Sequence, residues 1–556
     1  MSCTVARLLA ESLEAHDVDQ VYCVPGESYI GLTSALIERN SIRVIVCRHE
    51  GGAGYMAVAD GRLRDRAGVA MVSRGPGLSN AMVSLHSAYH DATPVVMLVG
   101  QVERLALQEQ NYSRLLSDVT KEVIEVNEPE QASEAIARAF HLAESGTPGP
   151  VAVILPEDIF DEETPAELDM PRPRSVAGPR AEDLDRLAEM LARAERPLVL
   201  VGGAMLADAV HDRAALADLN RFAEEWVLPI SPTHRRPQLF DATHPNFGGY
   251  MGIRVPPALI GEMKKADLMV ALGERMTDTV SQSYSFPKAP TPQLPFVHVW
   301  PDPNEVGRVW RPELGMPCDP HEVVKALLRR GAPADAKKRQ PWVAGLHKIH
   351  RQLLAKEWEP TGDGINFAAI VCEVDKHLAP DATVTTDAGN FGSFVHRYIG
   401  FRQSQVFLSS VVGAMGSGMP MAVAAALRRP GTQVVAFVGD GGALMTGNEI
   451  ATASQYGANP IMIISDNQMY GTIGMHSYVR YPERPFMAGT RLTNPDFAAW
   501  ARSFGAEGIT IKSESDIADA IARAFAVKTR PVVVHCLTSA IQMSAWRRYT
   551  RSETLP

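Results

Sequence analysis

Cysteine is scarce in this chain: six thiols in 556 residues, Cys3, Cys23, Cys47, Cys318, Cys372 and Cys536, with no CxxC spacing among them. That excludes a disulfide framework and a cysteine-built zinc site, and the thiols are expected to be buried in a reducing compartment. No run of lysine or arginine forms a basic stripe and the net charge is −10, so a nucleic-acid partner is excluded. No apolar run is long enough to span a bilayer. The start, MSCTVARLLAESLEAHDVDQ, is interrupted by acids and lacks the pattern of a secretory signal. The expectation is a cytoplasmic protein with no membrane partner.

What is present is the composition of a packed globular chain, 46% hydrophobic and 21% charged. Its length calls for about three compact units. The first alternates short β-rich runs with helical patterns, which predicts parallel strands covered by helices. Its strands are expected at QVYCV (20–24), RVIVC (43–47), VAMVS (69–73), PVVMLVG (94–100) and PVAVILP (150–156). The acidic, proline-rich stretch 157–180 reads as a linker. A second α/β alternation follows, with strands expected at 196–203, 226–231, 266–273 and 296–300. A polar stretch, 331–343, then precedes a helix. The third unit begins near 364, with strands at 383–387, 433–440, 460–467 and 531–536. The expected domains are 1–165, 181–330 and 364–545, each a doubly wound parallel sheet, and their similar size suggests a duplicated architecture.

The stretch QVVAFVGDGGALMTGNEIATASQYGANPIMIISDNQMYG (433–471) carries the chemistry. One buried strand ends in Gly439-Asp440-Gly441-Gly442, and a second ends in Asp466-Asn467 before Gly471. Neighbouring strands of a doubly wound sheet share a crevice at their C-terminal ends, so Asp440 and Asn467 converge there. One carboxylate and one amide oxygen suit Mg²⁺, which fills its octahedron with phosphate oxygens and water. The glycines let backbone N–H groups approach a diphosphate. A GDG alone is common in tight turns.

With 25 residues between Gly441 and Asn467, the arrangement resembles the diphosphate motif of thiamine diphosphate enzymes. The resemblance implies that the carbonyl of Met469 joins Asp440 and Asn467 on the metal, and that Pro25, Gly26, Gly439, Gly442, Tyr470 and Gly471 touch the cofactor. In RVIVCRHEGGAGYMAVADGRLR (43–64), Glu50 follows a strand at once. A helix N-terminal acid serving the macrodipole is the plain reading. The position also resembles the glutamate that this family points at the aminopyrimidine ring, where a sheltered carboxylate can share a proton with a ring nitrogen. SSVVGAMGSGMPMAVAAAL (409–427) resembles the segment that bends the cofactor, which implies a carbonyl from Gly413 and a wedge from Met415.

Within that superfamily the chain is most similar to the acetolactate synthase group, through VPGESYIGL (24–32), SRGPGLSNAM (73–82), DATPVVMLVGQV (91–102), LQEQ (107–110) and TKEV (120–123). The likeness implies pyrimidine-binding, central and diphosphate-binding domains in that order. It also implies Gln108 near a 2-oxo acid substrate, and a homodimer or homotetramer with each site shared between subunits. Departures touch the substrate pocket. His476 stands at the group's tryptophan, Thr472-Ile473 replaces a methionine–valine pair, Arg74 replaces a serine, and GQHQ reads Gly389-Asn390-Phe391-Gly392. His476 reads either as a proton donor or as a space-filling imidazole, and Arg74 either as a reader of a substrate carboxylate or as an ion-pair partner. His86 and His90 share a helical face but lack a third ligand, which favours a structural role. Anabolic members of the group carry FAD in the central domain; VGGAML (201–206), GERMTD (273–278) and VHVWPDPNEVG (297–307) are reminiscent of it, whereas Ala204 and THRRPQ (233–238) depart from it.

The reaction expected is carboligation or decarboxylation of 2-oxo acids with thiamine diphosphate and Mg²⁺. A flavin-linked oxidase is an alternative, and a cofactor-binding assembly or sensor subunit without catalysis is the alternative of another class.

Overall fold

A computed structural model describes residues 2–102, 106–205, 213–483 and 488–549. The N-terminal sheet has six parallel strands in the spatial order Arg43–Val46, Gln20–Cys23, Gly68–Ser73, Val95–Gln101, Pro150–Pro156, Glu122–Glu125. The C-terminal sheet repeats that topology with Val406–Leu408, Thr383–Thr386, Val434–Gly439, Ile461–Asp466, Val532–Leu537, Glu507–Ile511. Between them lies a five-stranded parallel sheet, ordered Ile230–Pro232, Pro197–Val201, Leu268–Leu272, Phe296–Val299, Leu314–Met316. The fold is α/β with three doubly wound parallel sheets, and the two outer sheets share one strand order.

Burial on both faces explains the continuous apolar runs. Val95, Met97 and Val99 pack on one side of the N-terminal sheet and Val96 and Leu98 on the other, in two separate cores. The first of these cores crosses into the C-terminal unit and takes in Ala422, Ala424 and Ala425. The contact is made by two small-residue helices, Glu50–Arg64 and Gly418–Arg428, whose glycines and alanines let the backbones approach. Arg428 closes it, donating to Asp60 Oδ2 at 2.9 Å, and Arg62 donates to the carbonyls of Ser409 and Phe407 at 2.9 and 3.0 Å.

Several expectations shift. The strand expected at 226–231 is Ile230–Pro232, because Trp226 continues the helical turn by donating to Phe222 O (3.1 Å) and Val227 then reverses the chain at φ 48°. Of the stretch read as a linker from 157, Glu157–Ile159 forms a short helical turn and Glu163–Thr164 pairs with Cys3–Thr4. Irregular chain begins only after that pair. The helix after the second polar stretch is Gln340–Leu353, and its Trp342 and Leu346 pack with Leu198 and Met269 of the central sheet. Five cysteines are buried, Cys3 is half-buried, and all six are free thiols. No helix among the described residues is long and apolar enough to cross a membrane.

Candidate active site

Two parallel strands, Val434–Gly439 and Ile461–Asp466, run side by side and end together. Their continuations build one cleft of about 340 Å³, within the size range of cofactor sites. Gly439, Asp440, Gly441 and Gly442 line it from the first strand, and Asn467, Met469, Tyr470 and Gly471 from the second. Gly389 and Asn390 enter from the loop after Thr383–Thr386, and Gly413 and Met415 from the small-residue segment. Thr472, Ile473 and His476, on the helix Gly471–Arg480, stand at its mouth. The backbone is tight there: a Cβ on Gly442 would lie 1.9 Å from Asp387 Oδ2, and one on Gly441 2.5 Å from the Tyr470 ring. Gly413, at φ 72°, turns the loop that carries Met415.

Two buried carboxylates stand close together beside the cleft. Asp440 is 3% exposed and its carboxyl is raised to about 7, first by burial and then by the charge of Asp466. One amide nitrogen of Asn494 bridges the two, 2.9 Å from Asp440 Oδ2 and 2.8 Å from Asp466 Oδ1. Burial works against the Asp466 carboxylate as well, but a 2.8 Å bond to His535 and the Asn494 amide hold it below its ordinary range. Two buried carboxylates beside an amide oxygen suit a hard divalent ion. Among the described residues no group of three or more His, Cys, Asp or Glu forms a different metal site, so His86 and His90, ring centroids 4.7 Å apart, lack a third such ligand.

The remaining candidates gather elsewhere. Glu50 opens the helix Glu50–Arg64, accepts a 2.9 Å bond from Asn80 and lies beside Gly77. Gly26, following Pro25, crosses so close to Ser73 that a Cβ would meet the serine at 2.2 Å. Arg74 sits next to Ser73 at φ 47° and donates to Gln108 at 3.0 Å. Its guanidinium also contacts Glu27 (2.9 Å) and Glu157 (3.1 Å), so it is held by two carboxylates of its own chain. None of Glu50, Gly26, Arg74 and Gln108 lines the cleft that holds Asp440.

Three contributors escaped the sequence reading. Asp387, 1% exposed, accepts from the N–H groups of Gly416 and Ser417 at 2.9 and 3.0 Å and so fixes the Met415 loop. Its place at the end of a strand was the available signal. Asn494 lies in an irregular loop with no pattern to find it. Glu449, fully buried, accepts from the backbone of Arg48 and His49 immediately before Glu50.

A thiamine cofactor with Mg²⁺ fits this cleft: the glycine turn, the Asp440 carboxylate, the Asn467 amide and the Gly413–Met415 loop all line it. Among the described residues of the central unit, the turn after Pro197–Val201 does not fit the diphosphate of a flavin. After Pro197–Val201 the N–H groups of Gly202 and Ala204 are already bonded to Leu272 O and Gly273 O, each at 3.0 Å. A Cβ on Gly202 would lie 2.6 Å from Glu274 Oε2, and one on Gly203 2.7 Å from the Arg236 guanidinium. Glu274 is 8% exposed and held by Thr233 and the N–H of Met276. The crevice beside Gly203 measures about 160 Å³ and carries four carboxylates, Asp65, Asp91, Glu144 and Asp319, against three arginines. A dinucleotide needs a larger space and no such charge facing its diphosphate. Of the VGGAML stretch, Leu206 lies outside the described residues.

The cleft is one that a diphosphate-bearing cofactor could occupy. Comparison with known families agrees: residues 3–121 match the N-terminal TPP binding domain of thiamine pyrophosphate enzymes, 184–327 the central domain and 387–536 the C-terminal TPP binding domain. The chain belongs to the thiamine pyrophosphate enzyme family. It is 29% identical over 96% of its length to the acetolactate synthase large subunit of Corynebacterium glutamicum, covering 86% of that protein. It is 27% identical over 93% of its length to the probable acetolactate synthase large subunit of Methanocaldococcus jannaschii, covering 89%. To the acetolactate synthase large subunit of Cyanidium caldarium it is 26% identical over 96%, covering 93%.

Proposed function

We propose that this protein is a thiamine diphosphate- and Mg²⁺-dependent carboligase acting on 2-oxo acids. The observation that carries the reading is the single cleft in which Asp440, Asn467, the glycine turn and the Gly413–Met415 loop meet. When bound, thiamine diphosphate supplies an electron sink that lets a 2-oxo acid lose CO₂. The chain's own groups position and protonate. Asp440, the Asn467 amide oxygen and the second lone pair of the Met469 carbonyl would hold the metal. Backbone N–H groups of the glycine turn would receive the diphosphate, and Met415 with the Gly413 carbonyl would position the rest of the cofactor. Thr472, Ile473 and His476 bound the acceptor side. The central unit takes no flavin on this reading, and the purified holoenzyme is expected to show no flavin absorption.

Glu50 is the proton carrier, and it reaches the cleft from a second copy of the chain. Leu444, Met445 and Ile473 are 48, 47 and 59% exposed near the cleft, and Val83, on the helix of Asn80, is 42% exposed; joining two copies would cover both sets. At least a homodimer follows, and a homotetramer is compatible with it. The buried thiols fit a cytoplasmic setting. Glu50 also argues against a non-catalytic sensor subunit, because binding alone does not need a carboxylate at the pyrimidine.

Product analysis with pyruvate, thiamine diphosphate and Mg²⁺ tests the reaction. A coupled hydroxy-keto acid is expected, and an aldehyde as sole product would make the protein a decarboxylase instead. Deuterium exchange at the thiazolium carbon of bound cofactor tests Glu50: acceleration over free solution is expected, with its loss in Glu50→Gln. Exchange no faster than in solution would leave only cofactor binding.

A further inference from the structure

We propose that His535 is a positioning residue for the metal site: it anchors Asp466 so that the turn after this aspartate presents Asn467 and Met469 to the cation. This rests on the reading of the cleft as a thiamine diphosphate and Mg²⁺ site, and it gives a role to a residue that reading leaves without one.

The two side chains meet because their strands are neighbours. Val532–Leu537 runs parallel to Ile461–Asp466, with Ile464 paired to His535 and Asp466 to Leu537. Asp466 and His535 therefore stand on one face of the sheet, two positions apart. Both are buried, at 3 and 6% exposure, and His535 Nε2 lies 2.8 Å from Asp466 Oδ2. A carboxylate only accepts, so Nε2 carries the hydrogen and donates it. The Phe497 ring meets the imidazole edge to face, centroids 5.2 Å apart at 84°, and limits its rotation.

With Oδ2 tied to the neighbouring strand, Oδ1 is set in place for two further bonds. It accepts the N–H of Gln468 at 3.1 Å and the amide of Asn494 at 2.8 Å. Gln468 stands between the two residues proposed as ligands, Asn467 before it and Met469 after it. Its φ of 55° is a left-handed conformation that a residue other than glycine adopts at a cost, so the turn needs restraint. Asp466 holds the Gln468 N–H, and the N–H of Leu492 holds the Gln468 carbonyl at 2.8 Å. Asp440 lines the cleft and Asp466 does not. Asp466 thus supports the ligand turn from behind, and His535 supports Asp466.

The plainer account is that His535 only fills space at the end of its strand. That account leaves a nitrogen unexplained. Nδ1 is buried without a hydrogen-bond partner. The nearest carboxylate oxygen, Asp496 Oδ1, is 3.7 Å away and already accepts from the N–H groups of Ala498 and Ala499. An apolar side chain would pack against Phe497 without that cost. What an apolar side chain lacks is the donor to Asp466.

The test uses the full-length chain freed of metal and cofactor, as wild type, His535→Gln and His535→Asn. Glutamine carries an amide nitrogen far enough to reach Asp466, whereas asparagine has the same chemistry one methylene short. Binding of thiamine diphosphate is followed by calorimetry as Mg²⁺ is raised, and metal-free stability by denaturant melts. In His535→Asn the Mg²⁺ concentration for half-maximal cofactor binding is expected to rise about tenfold, the scale of losing an outer support of a metal ligand. His535→Gln is expected to stay near wild type. A merely structural histidine would lower stability in both variants and leave the Mg²⁺ requirement where it was, and that result overturns the proposal. An equal rise in both variants overturns it too. Should His535→Asn fail to fold, His535→Phe, which keeps a ring against Phe497 and drops the donor, is read in its place. Wild type that binds no cofactor at any Mg²⁺ concentration overturns the cofactor site itself. Cofactor bound by all the proteins at one Mg²⁺ requirement overturns only the role of His535.

Discussion

Glu449 accepts the backbone N–H of His49 at 2.9 Å, across 400 residues of sequence and one position before Glu50. The same fully buried carboxylate accepts from Arg48 N at 3.0 Å and from Thr452 Oγ1 at 2.6 Å. The C-terminal unit, which holds the cofactor cleft, thereby fixes the start of the helix that presents Glu50. Cleft and carboxylate are coupled within one chain even though Glu50 does not line that chain's own cleft.

Removing this strut is expected to loosen Glu50 before it affects the cofactor. Glu449→Ala should lower unfolding free energy by about 2–4 kcal/mol and slow deuterium exchange at the cofactor carbon, with cofactor affinity little changed. Glu449→Gln keeps an acceptor oxygen and should recover part of both. Denaturant melts and exchange rates on the three proteins check it. Equal losses of cofactor affinity and exchange would mean that Glu449 merely holds the fold.

Legibility in the sequence divides along physical lines. The cleft could be read because strand–GDG–helix and strand–Asn are local patterns, and strands buried on both faces, such as Val434–Gly439, announce themselves as apolar runs. In the three large sheets four strands were missed, Glu122–Glu125, Leu314–Met316, Val406–Leu408 and Glu507–Ile511, and each lies at a sheet edge. These four are only three to five residues long, so they offer little run to read. Asn494 was illegible for another reason. Its role exists only through the two carboxylates brought near it by the fold, and nothing in LTNPD encodes them.

Asn494 relieves two carboxylates at once with a single nitrogen, while its own Oδ1 is buried without a partner. Asn494→Ala should leave Asp440 and Asp466 in unscreened repulsion and cost about 1–3 kcal/mol in the metal-free protein. Binding stabilises the folded state by mass action, so Mg²⁺ with thiamine diphosphate should close most of that gap. Thermal melts with and without the pair check it. A deficit equal in both conditions would make Asn494 a loop brace unrelated to the cation.

Acid should weaken the junction between the central and C-terminal units. His350 is lowered to about 3 by burial, with His347 and Arg351 adding to the shift, and His396 is lowered to about 3 by burial and Arg235. Both therefore stay neutral in the folded chain while the unfolded chain takes up protons below the ordinary value of 6.5. Unfolded binding more protons than folded means that stability falls as pH falls. From about pH 6.5 to 5.5 the pair should remove about 2 kcal/mol. Urea melts across that range, repeated on His350→Gln and His396→Gln, should show a shallower slope in each variant.

The proposed sharing of the site between two copies makes a prediction that neither copy alone can satisfy. Glu50→Gln leaves the metal cleft whole, and Asp440→Asn leaves the proton carrier whole. Each homo-oligomer should be nearly inactive. In a mixed dimer one cleft combines intact Asp440 from one copy with intact Glu50 from the other, while the second cleft combines both defects. Random mixing makes half of the dimers mixed, with one working site of two, so about a quarter of wild-type activity should return. Activity after unfolding and refolding the two variants together, set against each refolded alone, measures it. No recovery, with oligomers shown to have mixed, would mean that Glu50 serves the cleft of its own chain after a rearrangement, or serves none.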